Sequence, residues 1–361
     1  MRHSAGDRSA SEALAGFQRF PAWLWRNADV VEFVEWLRAW NQARTEPADM
    51  AGFYGLDLYN LRASIEAVVS FLERADPRAA QRVRASYACF DSFGENGRGY
   101  AFLAGSGITR GCKAEAVAGL LEIQRLFGGT SALDPRAASD DRFDALQNAR
   151  LVRDAEAFYH SMFQSESTAW NLREQHMAET LEELLLHLDR PAARAKIVVW
   201  AHNSHVGDAR ATEVARRGQV SLGQLARERH GQDTVLVGFT TYRGTVTAAV
   251  DWERAAQRQR VPPAHHGSYE QAFHGAGLDR FLLPCRDTEK VATALRRARL
   301  EREIGVIYRP DPEPGTQYLS ARLPDQFDAV LHFDETLAVE PLEPASETKG
   351  AEVPPTFPFS V

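Results

Sequence analysis

The sequence lacks several features that define broad classes of protein. No apolar run approaches the roughly 20 residues that a membrane-spanning helix requires. Residues 1–17 lack the apolar core of a signal peptide. The chain has 42 basic and 49 acidic residues, and the resulting net charge of −7 argues against nucleic-acid binding. We therefore expect no membrane and no nucleic-acid partner.

Cysteine is scarce in this chain. The 361 residues include three cysteines, Cys89, Cys112 and Cys285, which are far apart in the sequence. Their odd number and wide spacing predict neither a disulfide framework nor a zinc site. Such usage is typical of a reducing compartment, so we expect a cytoplasmic protein.

Motifs of common nucleotide-binding and hydrolytic enzymes are also absent. The sequence contains no P-loop, no GxSxG nucleophile elbow and no GxGxxG after a predicted strand. These absences disfavour a nucleotide-dependent enzyme and a serine hydrolase of the α/β-hydrolase type. No motif indicates a cofactor, and we expect none.

The residues that are present divide the chain into a helical part and a strand-rich part. Apolar residues at helical spacing extend over about residues 12–190, whereas short β-branched runs alternate with helical segments over about 195–342. This order predicts one α/β domain over residues 1–342, with a central, mainly parallel sheet and a large helical layer. Residues 343–361 are rich in proline and polar side chains and are predicted to form a disordered tail.

Several elements can be placed from the same patterns. Asn27 is predicted to cap a helix over 29–44, and the glycine-rich stretch 91–107 is predicted to be a loop. The segment KIVVWAH, residues 196–202, is short, β-branched and apolar on both faces, which is typical of a buried parallel strand. A further strand is predicted over 304–308.

The end of the predicted strand 196–202 carries the strongest chemical signal. Ligands of open α/β sheets bind beyond the carboxyl ends of strands, where His202, Asn203 and His205 follow one another. Imidazole exchanges a proton near neutral pH, so His202 and His205 are candidate catalytic residues and Asn203 is a candidate for substrate binding. The alternatives are a corner of structural histidines or, together with Asp208, a metal site.

Two further residues are candidates for substrate binding. Arg173 shares one stripe of a predicted helix over 168–188 with Met177, Thr180 and Leu184, and its guanidinium can clamp a carboxylate or polarise an ester carbonyl. The alternative is a structural ion pair with Asp57 or Glu174. Asp57, in GFYGLDLYNL, can enter a cleft beside its aromatic neighbours, and capping the next helix is its alternative role.

Seven blocks of the sequence resemble the erythromycin esterase family, in the branch of erythromycin esterase homologues and succinoglycan-biosynthesis-related proteins. The resemblance extends over about residues 10–342 and implies an α/β fold with a large helical part. It also implies hydrolysis of an ester, such as a macrolide lactone, by histidine-assisted attack of water, with a role in antibiotic response. The blocks are FPAWLWRNADVVEFVEWLRAWN, GFYGLDLYNLRASIEAVVSFLE, QNARLVRDAEAFYHSMF, WNLREQHMAETL, VVWAHNSHVGDARAT, GFTTYRGTVTAA and LPDQFDAVLHFDET.

The resemblance also implies roles for particular residues. The paired histidines of the family's HNxH block match His202 and His205. The WNLR block places Arg173 near the site, and FYGLD places Asp57 at its edge. The expected partner is a small-molecule ester or lactone substrate.

One block of the family has no counterpart in this chain. The family begins with a strand and a GExxHG block, which supplies the histidine taken to be the general base, whereas His3 follows no glycine–glutamate pair. We therefore expect an N-terminally truncated chain whose missing strands leave a sheet edge and apolar surface exposed. The alternatives to an esterase are a catalytically inactive binding remnant and a metallohydrolase using His202, His205 and Asp208.

Overall fold

The computed structural model describes most of the chain, in an order of elements that places helices first and the sheet second. Among the described residues, no helix is long and apolar enough to cross a membrane. His3 and the predicted tail beyond Glu343 lie outside the described residues. The described ranges are 7–17, 20–46, 49–93, 97–108, 110–128, 137–189, 194–252, 254–286, 288–310 and 317–343.

The first half of the chain forms a helical layer. Short 3₁₀ turns at Ala22–Leu24 and Ala88–Phe93 join some of its members. The helices are α1 (Ala10–Ala13), α2 (Ala28–Gln42), α3 (Leu61–Ala75), α4 (Pro77–Tyr87), α5 (Gly97–Gly105), α6 (Lys113–Gly128), α7 (Ala137–Ser161) and α8 (Glu166–Leu188).

Local sequence explains where several of these helices begin. The Asn27 side chain accepts a hydrogen bond from the Val30 amide at 2.9 Å, so the predicted cap is confirmed. Asp76 caps α4 directly before Pro77. Proline is favourable at the first helical position, because the N–H that it lacks would have no hydrogen-bond partner within the helix there.

The prediction of a loop over 91–107 is wrong, because α5 occupies much of this stretch. Its glycines favour irregular backbone, but Tyr100, Ala101 and Ala104 are buried in the helical core. Burial of these side chains overrides the weak local propensity. The same core takes large apolar residues from α3, α4, α6 and α7, among them Val68, Leu72, Val83, Ile123, Val152 and Phe158.

The second half of the chain forms the sheet and the short helices around it. The larger sheet has the order β2-β1-β6-β3, and β4 pairs with β5 separately. The strands are β1 (Val237–Ala248), β2 (Gln257–Val261), β3 (Arg280–Pro284), β4 (Arg299–Arg302), β5 (Tyr318–Ala321) and β6 (Ala329–Thr336). The helices are α9 (Asn203–Val206), α10 (Leu222–His230), α11 (Tyr269–His274), α12 (Glu289–Leu295) and α13 (Leu323–Gln326).

The predicted α/β class with a helical layer is confirmed, although the sheet is mixed rather than mainly parallel. Strands β1 and β6 are parallel, with Val237 opposite Ala329. Strands β2 and β3 pair antiparallel with β1 and β6, respectively. The connection from β1 to β2 is too short for a parallel crossover, which needs a dozen or more residues.

Two strand predictions are wrong in detail. Residues 304–308 form no strand, and β4 lies just before them, although Ile307 makes an isolated bridge with Ala249. The segment 194–202 pairs with no described strand. A segment becomes a strand only when a neighbouring strand pairs with it. β-branched composition does not supply that neighbour, so it predicts too many strands here.

The segment 194–202 is covered on one face and open on the other. Ile197 and Val199 pack with Met177 in a buried cluster, whereas Val198 is 93% exposed. On β1, which the segment reaches through Asn203, Phe239 is also exposed. Apolar side chains of this segment and of β1 are therefore exposed on this part of the molecule.

Replacing Val198 with Lys is expected to reduce self-association, because an unpaired apolar segment offers its backbone and side chains to another chain. Sedimentation velocity at increasing protein concentration measures the effect. The matched control is Val199→Lys, which places a charge against the cluster containing Met177 and should lower the Tm. Equal association of Val198→Lys and wild type would exclude this segment as the contact.

Two of the three cysteines form a disulfide, so the prediction of no disulfide is wrong for them. Cys89 and Cys112 are bonded across a separation of 23 residues, and Cys285 is free and buried. The bond joins the 3₁₀ turn Ala88–Phe93 to the residue before α6, two points whose proximity no local pattern reveals. Disulfides persist in oxidising compartments, so this pair removes the cysteine-based reason for expecting a reducing one.

Reduction of Cys89–Cys112 is expected to lower the free energy of unfolding by about 3 kcal/mol, because the closed loop restricts the unfolded chain. Denaturant unfolding with and without a thiol reductant measures this difference. The double variant Cys89→Ser with Cys112→Ser should resemble the reduced protein and should not respond to the reductant. A wild-type curve that is unchanged by reductant would contradict the expectation.

Candidate active site

The predicted motif folds into a short helix that is held tightly at both ends. Its first residue follows His202, whose imidazole Nδ1 accepts from the Ser204 amide as an N-cap. Behind it packs α10, where a Cβ on Gly223 would lie 2.0 Å from the Val206 carbonyl oxygen. Glycine at 223 is therefore required for this close approach of backbone.

Asn203 binds the backbone of the sheet. Its side-chain amide donates to the Phe239 carbonyl at 2.7 Å and accepts from the Phe239 amide at 3.0 Å. The side chain thus occupies the position of a neighbouring strand and ties α9 to β1. The sequence prediction of substrate binding by Asn203 stays a prediction, and its observed contacts are those of a positioning residue.

His205 forms the most distinctive arrangement in this region. Its Nδ1 lies 2.6 Å from Oε1 of Glu174, a carboxylate with no exposed surface. The other oxygen, Oε2, accepts from the Leu222 amide at 2.7 Å. The Trp170 indole stacks on the imidazole at 4.9 Å and 8°. Because an ionised carboxylate only accepts hydrogen bonds, Nδ1 carries the proton and Nε2 keeps a free lone pair.

His202 has a different environment. Its Nε2 donates to the Ile304 carbonyl at 3.0 Å, and its Nδ1 accepts from Ser204. Burial, together with the charge of His205, lowers the pKa of His202 to about 4. His202 is therefore a neutral imidazole at pH 7, and protein groups engage both of its nitrogens.

Arg173 and Asp57 bind each other, which is one of the two ion pairs considered for Arg173. The guanidinium donates from Nε and Nη2 to the two Asp57 oxygens at 2.9 and 2.7 Å, and it lies over the Tyr59 ring at 4.6 Å. Burial raises the pKa of Asp57, but Arg173 and then His205 outweigh it, so this pKa is below its usual value. Asp57 does not cap α3, which begins after Asn60.

Asp208 is engaged away from the histidines. Its carboxylate accepts from Arg210 and Arg227, and it caps the 3₁₀ turn Ala209–Ala211. Among the described residues, no group of three His, Cys, Asp or Glu side chains is arranged to hold a metal ion. The geometry therefore does not assemble His202, His205 and Asp208 as ligands of one metal.

A small cavity lies beside Trp170, the residue that stacks on His205, and its lining includes Trp170, Asn203, Gln326 and Glu303. Sequence reasoning did not select Glu303, and it considered Glu174 only as an ion-pair partner of Arg173. No local sequence pattern marks either residue. Glu174 contacts His205 in α9 and the Leu222 amide in α10, and Glu303 lines the cavity, and these positions arise only in the folded chain.

Comparison with known proteins identifies the family of the chain. A family model described as erythromycin esterase matches residues 1–336, which is most of the chain. The chain belongs to the erythromycin esterase family. Erythromycin esterase type II of Escherichia coli is 27% identical over 156 residues, a segment that spans 38% of this chain and 36% of that relative.

Solved structures share the fold of this erythromycin esterase family member. A succinoglycan biosynthesis protein has a TM-score of 0.67 at 18% identity, covering 93% of this chain and 79% of its own. A protein from Bacillus cereus has a TM-score of 0.68 at 15% identity, with coverage of 93% and 79%. A mutant of erythromycin esterase EreC in its open conformation has a TM-score of 0.54 at 14% identity, with coverage of 92% and 81%.

The His202 environment predicts a pH dependence of stability. The folded pKa of about 4 lies below the usual value of 6.5, so the unfolded chain binds a proton first as the pH falls. Stability contributed by neutral His202 is present above pH 6.5 and declines between pH 6.5 and 4, by up to about 3 kcal/mol.

His202→Gln keeps a donor near the Ile304 carbonyl but cannot titrate, so this variant should lose less stability on acidification. Urea unfolding of both proteins from pH 8 to pH 4 measures the difference, and it cancels the other groups that titrate in this range. Parallel stability curves for the two proteins would contradict this assignment.

Proposed function

We propose that this protein hydrolyses an ester or lactone bond, with His205 as the residue that activates water. The observation that carries the proposal is the pair formed by the buried Glu174 carboxylate and the His205 imidazole. A base oriented by a carboxylate on one nitrogen and free on the other is the arrangement that water activation requires.

The steps follow from the tautomer. Nε2 of neutral His205 takes a proton from a water molecule while the water oxygen forms a bond to the substrate carbonyl carbon. The resulting imidazolium is stabilised by Glu174, which accepts from Nδ1. When the tetrahedral intermediate collapses, its C–O bond to the leaving oxygen breaks and Nε2 returns the proton to that oxygen. The products are a carboxylic acid and an alcohol, joined in one molecule if the substrate is a lactone.

Other predicted site residues contribute to the position of His205 and Glu174 or to substrate binding. In this proposal His202 and Asn203 hold α9 against Ile304 and Phe239, which sets the direction of the His205 ring. Arg173 donates hydrogen bonds from Nε and Nη2 to Asp57, and its Nη1 donates to no described residue. That remaining donor supports a role in binding a substrate oxygen, with Asp57 fixing the guanidinium plane.

The substrate class is proposed from the relatives. The curated relative is named as an erythromycin esterase, and one structural neighbour has the same name. A macrolide lactone is therefore the first substrate to test, followed by simple esters, and activity on a macrolide would give the protein a role in antibiotic response.

His205→Asn is expected to lower kcat by about 10²–10⁴-fold, because it keeps a donor to Glu174 but removes the base. Glu174→Gln should lower kcat in the same direction, because the amide can donate to Nδ1 and so favour the wrong tautomer. Product formation from a macrolide and from a panel of esters, followed by liquid chromatography, measures both variants.

The matched control is His230→Gln, since His230 also contacts a glutamate, Glu182 at 2.8 Å, but on the surface. It should keep wild-type kcat. Absence of hydrolysis by the wild-type chain over the whole panel would sink the proposed function. Equal kcat for His205→Asn and wild type would sink the role of His205.

A further inference from the structure

Side chains of α8 bind the backbone of the segment that leads into α10. The Asn171 amide donates to the Gly218 carbonyl at 2.8 Å and accepts from the Val220 amide at 2.9 Å. One turn earlier in the helix, the Ser167 hydroxyl donates to the Arg217 carbonyl at 3.0 Å. Residues four apart lie on the same face of a helix, so these bonds hold the segment against one face of α8.

Trp170 and Glu174 extend this contact along the helix. They are also four residues apart, so their side chains are neighbours on the surface of α8. The Trp170 indole Nε1 donates to the Val220 carbonyl at 2.6 Å, and Glu174 Oε2 accepts from the Leu222 amide at 2.7 Å. Each of the two side chains is therefore held by a backbone group of the same segment.

The same two side chains contact the His205 imidazole from two directions. Glu174 Oε1 lies 2.6 Å from Nδ1, at the edge of the ring. The Trp170 indole lies on the face of the ring, with the centroids 4.9 Å apart and the planes within 8°. A single hydrogen bond allows the imidazole to turn about the bond axis, whereas contact with a parallel indole restricts that rotation. The plane of the imidazole therefore depends on Trp170.

The contact with the indole also changes when His205 takes a proton. In the proposed hydrolysis, Nε2 accepts a proton from water and the ring becomes an imidazolium. A cation within about 6 Å of an indole centroid is attracted to the negative face of the ring, and the attraction is larger when water is excluded. Trp170 is only 5% exposed. The contact is therefore stronger after proton transfer than before it, and an interaction of that kind raises kcat.

We propose that Trp170 is a positioning residue for His205, which sets the plane of the imidazole and stabilises the imidazolium that forms during hydrolysis. The inference rests on the proposed function and adds a second residue of α8 to the pair of His205 and Glu174. The two helical residues have separate tasks. Glu174 selects the tautomer, because it accepts from Nδ1, and Trp170 orients the ring that carries the proton.

A similar arrangement outside the site provides a matched control. The Phe143 ring stacks on the His187 imidazole at 4.2 Å and 15°, and His187 Nε2 lies 2.7 Å from Asp140 Oδ1. The side chain of Asp140 is 56% exposed, and this stack joins α7 to the end of α8. Phe143→Leu thus removes an aromatic ring from an imidazole paired with a carboxylate, without touching His205.

Kinetics of Trp170 variants test the effect on catalysis. Trp170→Leu keeps an apolar side chain but removes the ring face, so kcat for an ester that the wild type hydrolyses should fall about 10-fold. KM should stay unchanged, because Trp170 acts through the imidazole. Trp170→Phe keeps a ring face and lacks the indole N–H, so it should recover most of kcat. Phe143→Leu should keep the wild-type kcat.

NMR spectroscopy of the protein with ¹³C-labelled histidine tests the geometry without a substrate. Protons over the face of an aromatic ring resonate upfield, so Trp170→Leu should move the C–H signals of the His205 ring downfield. Trp170→Phe should keep part of the upfield shift, and Phe143→Leu should leave these signals in place. The spectrum of His205→Asn identifies the signals by their loss.

The outcomes separate this inference from the proposed function. A lower kcat in Trp170→Leu, recovery in Trp170→Phe and the downfield shift together support the role of the ring face. Wild-type kcat in Trp170→Leu overturns that role, and so does an equal loss in both variants, which assigns the effect to the bond with Val220. Absence of hydrolysis by the wild-type chain overturns the proposed function and the imidazolium role. In that case the downfield shift leaves the orientation of His205 by Trp170 standing, and unchanged signals overturn it.

Discussion

The buried carboxylate of Glu174 is the interaction on which the rest of the site depends. It belongs to α8 of the helical layer, yet one oxygen accepts from His205 in α9 and the other from the first residue of α10, Leu222. A carboxylate taken out of water is stable only when its oxygens are hydrogen-bonded. Satisfying both oxygens therefore holds three helices from the two parts of the chain in one arrangement, with the His205 ring fixed in one tautomer.

Around this carboxylate, the residues of the His-Asn-Ser-His motif have different roles. His202 and Asn203 donate hydrogen bonds to the backbone carbonyls of Ile304 and Phe239, so they hold the short helix in place. His205 alone retains a nitrogen for chemistry. The carboxyl groups of Glu301 and Glu303 are also buried nearby, and burial raises the pKa of both above the usual value. Such electrostatic cost is common where a protein binds or transforms a ligand.

Sequence reasoning was most successful where the determinants are local. Asn27 caps α2 because its side chain reaches an amide three residues away, and long amphipathic periods located the helical layer. It failed where a distant partner decides the outcome. The run 196–202 looks like a buried strand, but Val198 is 93% exposed and no described strand pairs with the segment. Cys89 and Cys112 likewise bond only because the fold brings separate turns together.

The sequence by itself determined the α/β class, the helix-first order and the region of the candidate site, because periodicity and strand-end chemistry are written in neighbouring residues. The tertiary structure alone decided what each site residue does. Arg173 meets Asp57 rather than Glu174, and Glu174 instead meets His205, a choice between two buried partners that depends on how α8 packs. Hydrogen bonds act over about 3 Å, so roles that depend on them are set only when the helices are in place.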